Sequence, residues 1–330
     1  MRGLVESASA LADHAVDAVL AVVIDSSETA ARPRGALALM TADEMHAGSL
    51  AGGWLETRLL EVAGQVLANG RAEGINIEAS QDSSHASVPA EQNGGSMQIL
   101  LPPLPARGSP LRDAMTKACL SGAWLRLRLA VASGSGTQAE PGFGEARTGT
   151  DRFAFDAHGD ACPGPLEFAA HASFSFAPPP RIALLGSGPE STSLIRMARW
   201  LGWYVEVIDL RPLAGNCLGA DRLHAIAAES LPSLLAERHF DAVVVGAHDF
   251  EIDARHLRQL GETGIGYIGL LGPPERRDAL LGELGDIIAT QLEPRLYAPA
   301  GLRLGGEGPE ANALAIIAQM QYYLAHDMHA

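Results

Sequence analysis

The segment "RIALLGSGPESTSLIRMARWLGWYVEVIDLRP", Arg181 to Pro212, constrains the fold more than any other. A short apolar strand (RIALLG) runs straight into Gly186-Ser187-Gly188. An amphipathic stretch, Glu190–Leu201, follows, with Leu194, Met197, Ala198 and Leu201 as its core face. A second apolar strand, YVEVID, ends on Asp209. Glycine suits a turn where the backbone bends tightly or approaches another group without a Cβ. The helix that follows points unpaired N–H groups and a positive dipole end at that turn. Asp209 lies twenty-one residues past Gly188, where a carboxylate can accept from a ribose or other hydroxyl. Arg211, two residues on, offers the alternative of an extra phosphate. Ser191 takes the third small position of G-x-G-x-x-G. Pro189 removes one N–H donor, and Glu190 puts an acid in the turn, against a tightly held pyrophosphate. The pattern specifies a dinucleotide-type fold more firmly than an occupant, because such a crevice serves many purposes.

The rest of the C-terminal half repeats this grammar. Apolar strands LHAIA, DAVVVGA and YIGLLG alternate with helices over Leu231–Arg238, Glu251–Thr263, Glu275–Leu284 and Glu310–Ala325. Alternating β and α with continuously apolar strands predicts a doubly wound parallel sheet covered on both faces. Ligands of such sheets gather beyond the carboxyl ends of the strands. His248 and Asp249 fall there, either as a ligand-binding pair or as a helix cap beside a surface histidine. Gly272 falls there too, followed by Arg276 and Arg277, which either start a solvated helix or neutralise a phosphate.

The N-terminal half reads as α+β. A helix is expected over Leu4–Leu20, with strands at Ala18–Ile24, Gly35–Thr41, INIEAS, SMQILLP, WLRLRLAVAS, RFAFDA and ASFSFA, and helices over LETRLLEVAGQVLANG and Pro110–Gly122. ADEMHAG reads as a turn. Gly, Pro and Ser accumulate from Gly134 to Pro180. The expected organisation is a domain over residues 1–176, a linker over 177–180 (APPP) and a domain over 181–330.

Composition narrows the function classes. The chain of 330 residues is 47% hydrophobic and 19% charged, ample for large cores, with a net charge of −15. That charge argues against nucleic acid and anionic membranes as partners. The longest apolar runs are strand-sized, no signal-peptide core follows the first arginine, and a cytoplasmic location is expected. Cys119, Cys162 and Cys217 are widely spaced and fit reduced thiols better than a disulfide framework or a zinc site.

Several blocks in order resemble the xanthine dehydrogenase accessory protein family (XdhC/CoxI): AVVIDSSETAARPRGALALMT, GSLAGGWLE and QNGGSMQILLPPL, then LGWYVEVIDLRP, VVVGAHDFEIDARHLRQL, YIGLLGPPERR and YAPAGLRLGGEGPEANALAIIAQM. The resemblance covers nearly the whole chain apart from about 108–179. It implies a chaperone without turnover, which binds the molybdenum cofactor (molybdopterin), assists its sulfuration by a cysteine desulfurase and delivers it to a xanthine dehydrogenase-like molybdenum hydroxylase. It also implies a homodimer. The cofactor-binding set it suggests is Gly186, Ser187, Gly188, Asp209, Arg211, His248, Asp249 and Gly272, with Gly52, Gly53, Trp54 and Glu56 in the other half.

Departures from the family pattern bear on the chemistry. Trp54 stands where the family has the cysteine of its Gly-Gly-Cys block, and Asn93 where it has the cysteine of its Cys-Gly-Gly block. Pro189 and Ala247 replace a family histidine and threonine. Trp54 can stack on a pterin or fill core but cannot ligate a metal. Arg32 and Arg34 flank Pro33 as anion contacts or as plain surface groups. An NAD(P)-dependent oxidoreductase using His248 or Tyr267 as proton donor, and a cofactor-free binding protein that kept the fold, remain the alternative functions.

Overall fold

The computed structural model describes residues 1–28, 30, 32–50, 53–77, 95–131, 144–162, 170–211 and 215–326, without the Trp54 side chain. The chain divides into two compact units, Met1–Pro178 and Pro179–Ala330.

The first unit contains α1 (Arg2–Asp13), β1 (Ala18–Ser26), β2 (Leu37–Met40), β3 (Met45–Gly48), α2 (Trp54–Asn69), β4 (Glu73–Ile77), β5 (Met97–Leu101), β6 (Pro103–Leu104), α3 (Pro110–Ser121), β7 (Leu125–Ala130), β8 (Gly144–Thr148), β9 (Asp151–Phe155) and β10 (His171–Phe176). Two sheets form, in the orders β3-β2-β1-β5-β4, with β6 also on β1, and β10-β7-β8-β9. Every pairing is antiparallel. β1 runs through the middle of the larger sheet and buries both faces. Val19, Ala21 and Val23 pack with Leu55, Leu59, Val62 and Val66 of α2, while Ala18, Leu20 and Val22 join the cluster of α1, α3 and the smaller sheet. Two-sided burial explains the unbroken apolar run. The boundaries follow local chemistry. The Ser109 side chain caps α3 with Pro110 in its first turn, and Gly122 ends it in a left-handed conformation.

The second unit contains β11 (Arg181–Leu185), α4 (Ser191–Trp200), β12 (Tyr204–Asp209), β13 (Arg222–Ala225), α5 (Leu231–Glu237), β14 (Ala242–Val245), α6 (Phe250–Gly261), β15 (Ile268–Leu270), α7 (Pro274–Leu284), α8 (Asp286–Leu292), β16 (Leu296–Tyr297) and α9 (Pro309–His326). Its sheet has the order β13-β12-β11-β14-β15-β16 with every pairing parallel. Ile182 and Leu184 of β11 pack with Leu194, Ile195, Ile316 and Met320 of α4 and α9, whereas Ala183 and Leu185 pack with Leu257, Leu260, Leu280 and Leu292 of α6, α7 and α8. The sheet is thus doubly wound, as expected, and chain order reverses between β11 and β14. That switch point opens a crevice at the carboxyl ends of the two strands.

Several expectations need correction. The first helix ends at Asp13, so β1 begins where a helix to Leu20 was expected. ADEMHAG supplies β3, whose Met45–Gly48 pair with β2. β8 and β16 are strands that apolar patterning does not show. Leu201 is 45% exposed, because α4 stops at Trp200, and Ile195 takes the core position instead. One acid sits deep in the parallel sheet: Glu206 of β12. Burial pushes its carboxyl up, but hydrogen bonds from Arg238 (2.6 Å) and His224 (2.7 Å), with their charge, hold it below the usual carboxylate range.

Candidate functional site

β11 ends at the switch point and the chain turns through Gly186-Ser187-Gly188-Pro189-Glu190 into α4. Gly186 has φ +110°, and its N–H donates to the carbonyl of Ile208 at 2.9 Å. A Cβ there would lie 2.5 Å from the Gly246 carbonyl oxygen and 2.6 Å from Ala247 Cα. The first glycine is therefore imposed by the neighbouring strand end: β14 leaves no room for a side chain.

Ser187 is buried, and its Oγ donates to Asp209 Oδ2 at 2.8 Å. The backbone N–H of Arg211 donates to Asp209 Oδ1 at 2.9 Å. The acid at the end of β12 thus ties two loops together. Asn216 Nδ2 donates to the Ser187 carbonyl at 2.8 Å, which lays the loop after β12 against the glycine turn. Cys217 is buried in the same loop. Burial, with the nearby Asp209 charge, pushes its thiol up and keeps it protonated.

The face of Gly188 is covered from β14. His248 adopts a left-handed backbone, φ +59°, and a Cβ on Gly188 would lie 2.5 Å from its Nε2. Glu190 Oε2 stands 3.4 Å from the same nitrogen. The two groups face each other but are not aligned as a hydrogen bond, and Glu190 Oε2 is buried with no hydrogen-bond partner among the described residues. Beyond His248, Asp249 caps α6, its side chain accepting from the N–H groups of Glu251 and Ile252 at 3.0 and 3.1 Å. His248 and Asp249 therefore do different jobs rather than forming a pair.

Asp253 of α6 is fully buried. It accepts from Ala247 N at 2.9 Å and from Arg276 Nη2 at 2.7 Å. Arg276 lies against Gly272, whose φ is +127°, and is committed to this bridge rather than to a ligand. Arg277 donates to the Ala298 carbonyl at 3.1 Å. Three loops at the strand ends are thereby joined. Nothing in the sequence pattern marked Asp253, because a buried acid inside a helix carries no periodic signal. Tyr267 is ruled out as a proton donor. It is fully buried, stacked on Tyr297 and donates to Gln319 Oε1 at 2.8 Å, with its hydroxyl pushed upward by burial.

The structure brings Gly186, Ser187, Gly188, Asp209 and His248 together, with the Arg211 backbone at their edge. Asp249 as the α6 cap and Gly272 under Arg276 lie in the same unit but serve its own loops, and the remaining candidates lie in the first unit. Gly53 (φ +68°) is the N-cap of α2, Trp54 opens that helix, and Glu56 sits in its first turn, where an acid complements the helix dipole. Gly52 and Asn93 fall outside the described residues. Arg32 donates to the Ser49 carbonyl at 2.8 Å, and Arg34 donates to the Ile24 carbonyl at 3.0 Å and lies over the Phe174 ring, so both hold their own loop. Among the described residues, no group of three or more His, Cys, Asp or Glu side chains is placed to hold a metal ion, and no helix is long and apolar enough to cross a membrane.

Two family profiles match the chain: the XdhC Rossmann domain over residues 182–320 and the XdhC and CoxI family over residues 11–77. The chain is 32% identical over 148 residues to a probable xanthine dehydrogenase subunit of Bacillus subtilis (strain 168), covering 43% of this chain and 42% of that protein. It is 26% identical over 146 residues to the uncharacterized protein YqeB of Escherichia coli (strain K12), covering 43% of this chain and 27% of that one. These matches span less than half the length of either relative. In three dimensions the chain resembles a xanthine dehydrogenase from Bacillus halodurans with a TM-score of 0.74 at 23% identity, covering 97% of this chain and 95% of that structure.

Proposed function

Because the chain belongs to the XdhC and CoxI family, we propose that it is an accessory protein in the maturation of a xanthine dehydrogenase-type molybdenum hydroxylase. In this reading it binds the molybdenum cofactor and passes it to the hydroxylase, after sulfuration by a cysteine desulfurase, without a turnover reaction of its own. The observation that carries the proposal is the match of both halves to that family, together with a glycine turn, a helix start and a strand-end acid gathered at a topological switch point.

The residues fit one part of the cofactor and not the other. For molybdenum itself they do not fit. The family's two cysteine positions hold Trp54 and Asn93, and Cys119 and Cys217 are buried. Among the described residues no group of three or more His, Cys, Asp or Glu side chains is placed to hold a metal ion, so no step is routed through the metal. For a phosphate arm, the glycine turn and the start of α4 give a suitable cradle, but His248 and Glu190 cover it. The chain's own residues would hold the pterin by its anionic end and leave the metal end to the partner.

Expression of the hydroxylase with and without this chain tests the reading. The expected outcome is hydroxylase of equal abundance but several-fold lower activity when the chain is absent. Equal activity in both would refute it. A nicotinamide-dependent oxidoreductase is the weaker reading. Tyr267 is sealed in the core, and Asp209 already has two donors.

A further inference from the structure

We propose that His248 and Glu190 form an autoinhibitory latch across the glycine turn, closed in the ligand-free protein and opened by an anionic ligand. The inference rests on the reading of that turn as a phosphate seat. It adds that the seat is held shut by the protein's own carboxylate.

Four observations support the latch. The imidazole lies over Gly188, so closely that even one carbon added to the glycine would meet Nε2 at 2.5 Å. It reaches that position through a left-handed backbone at His248, φ +59°, a conformation non-glycine residues adopt at a cost. Glu190, the residue that caps α4, carries its carboxylate to 3.4 Å from the imidazole. Its Oε2 is buried without a hydrogen-bond partner among the described residues. A carboxylate at the start of a helix interacts favourably with the positive dipole end, as a bound phosphate would. A carboxylate oxygen enclosed there without a hydrogen bond, on a partly buried side chain, is a good stand-in for a ligand's charge.

The two residues come from different loops, one after β11 and one after β14, so no single hairpin fixes the contact. A phosphate that approached Gly188 would meet both the imidazole and the carboxylate. Once Glu190 swings outward, the helix start and the Gly188 backbone are free, and His248 can face the incoming anion instead of the chain's own. The latch therefore sets a threshold: weak anions fail to displace Glu190, while a ligand with further contacts succeeds.

The test uses the full chain, inorganic pyrophosphate as probe and two variants that preserve the fold. Glu190→Gln keeps size and removes charge. His248→Gly suits the left-handed backbone and removes the imidazole. Calorimetric titration should show Glu190→Gln binding pyrophosphate at least tenfold more tightly than the wild-type protein. Hydrogen exchange should show the amides of Gly188 and Glu190 exchanging at least tenfold faster in His248→Gly. Equal pyrophosphate affinity in Glu190→Gln and wild type, including no binding by either, would overturn the latch, as would unchanged exchange in His248→Gly. Neither measurement involves the hydroxylase. If Glu190→Gln gains affinity while hydroxylase activity does not depend on the chain, the latch stands and the maturation role fails. The reverse pattern sinks the latch alone.

Discussion

Replacing Gly186 with alanine separates what the glycine turn needs for folding from what it needs for a ligand. Gly186 sits at φ +110°, a region an L side chain rarely adopts. Holding alanine in so sparsely populated a conformation costs about 1–3 kcal/mol. The new methyl would also press on the Gly246 carbonyl oxygen at 2.5 Å and on Ala247 Cα and N at 2.6 Å. These are backbone atoms at the end of a central strand and cannot swing away, so overpacking adds about 1–3 kcal/mol. Together the loss should be roughly 2–6 kcal/mol, a large share of the ~5–15 kcal/mol that holds an ordinary domain folded. At ~2–4 °C per kcal/mol for a unit of this size, the midpoint should drop by roughly 4–24 °C. The same change at Gly188 meets only the tip of the His248 ring, which can move, and should cost no more than ~1 kcal/mol. Urea denaturation followed by tryptophan fluorescence, to which the buried Trp203 of this unit contributes, compares the two. Equal losses at both positions, or a loss below ~1 kcal/mol at Gly186, would refute the claim that β14 imposes the first glycine.

Three further outcomes are expected. Asp253→Ala leaves Ala247 N–H and the partly buried Arg276 without their acceptor and should destabilise by about 3–5 kcal/mol in denaturant titration, whereas Asp253→Asn keeps one of the two bonds and should cost less. His256 is buried, and burial lowers its affinity for a proton despite Asp253 and Asp209 nearby. The unfolded chain then binds more protons than the folded one, so stability is intact above the ordinary histidine value of about 6.5 and falls as pH drops through it. His256→Gln should flatten that slope in thermal unfolding measured across pH. Finally, Cys119 and Cys217 are buried while Cys162 is half-buried, so an aromatic disulfide reagent should label Cys162 first. Rapid labelling of Cys217 in the folded protein would contradict its protonated, enclosed state.

Long periodic elements were legible in the sequence, and those that make the doubly wound sheet were placed to within a residue or two. β11, α4 and β12 carry apolar runs and a helical period that tertiary packing reinforces. The short elements were not. β3 and β16 pair through backbone hydrogen bonds over four and two residues and bury little, so their side chains leave no period to read. The glycines of the site were visible, but the reason for the first was not: Gly186 answers to a strand that arrives some sixty residues later. The same holds for the cover over Gly188. Glu190 reads as an unwelcome acid in a phosphate turn until His248 is seen above it. Asp209 was legible as an acid at a strand end, but its partners Ser187 Oγ and Arg211 N become visible only in three dimensions. Leu201 failed because helical period says nothing about where a helix stops.

The most direct test is to purify the full chain from cells that make the molybdenum cofactor, oxidise it and measure released pterin by its fluorescence. The account predicts pterin recovered in proportion to protein, and its loss when Gly188→Asp sets a second carboxylate in the turn while circular dichroism shows the fold retained. Protein that carries no pterin, or carries it equally well with Gly188→Asp, would contradict the claim that this turn receives the cofactor's anionic end.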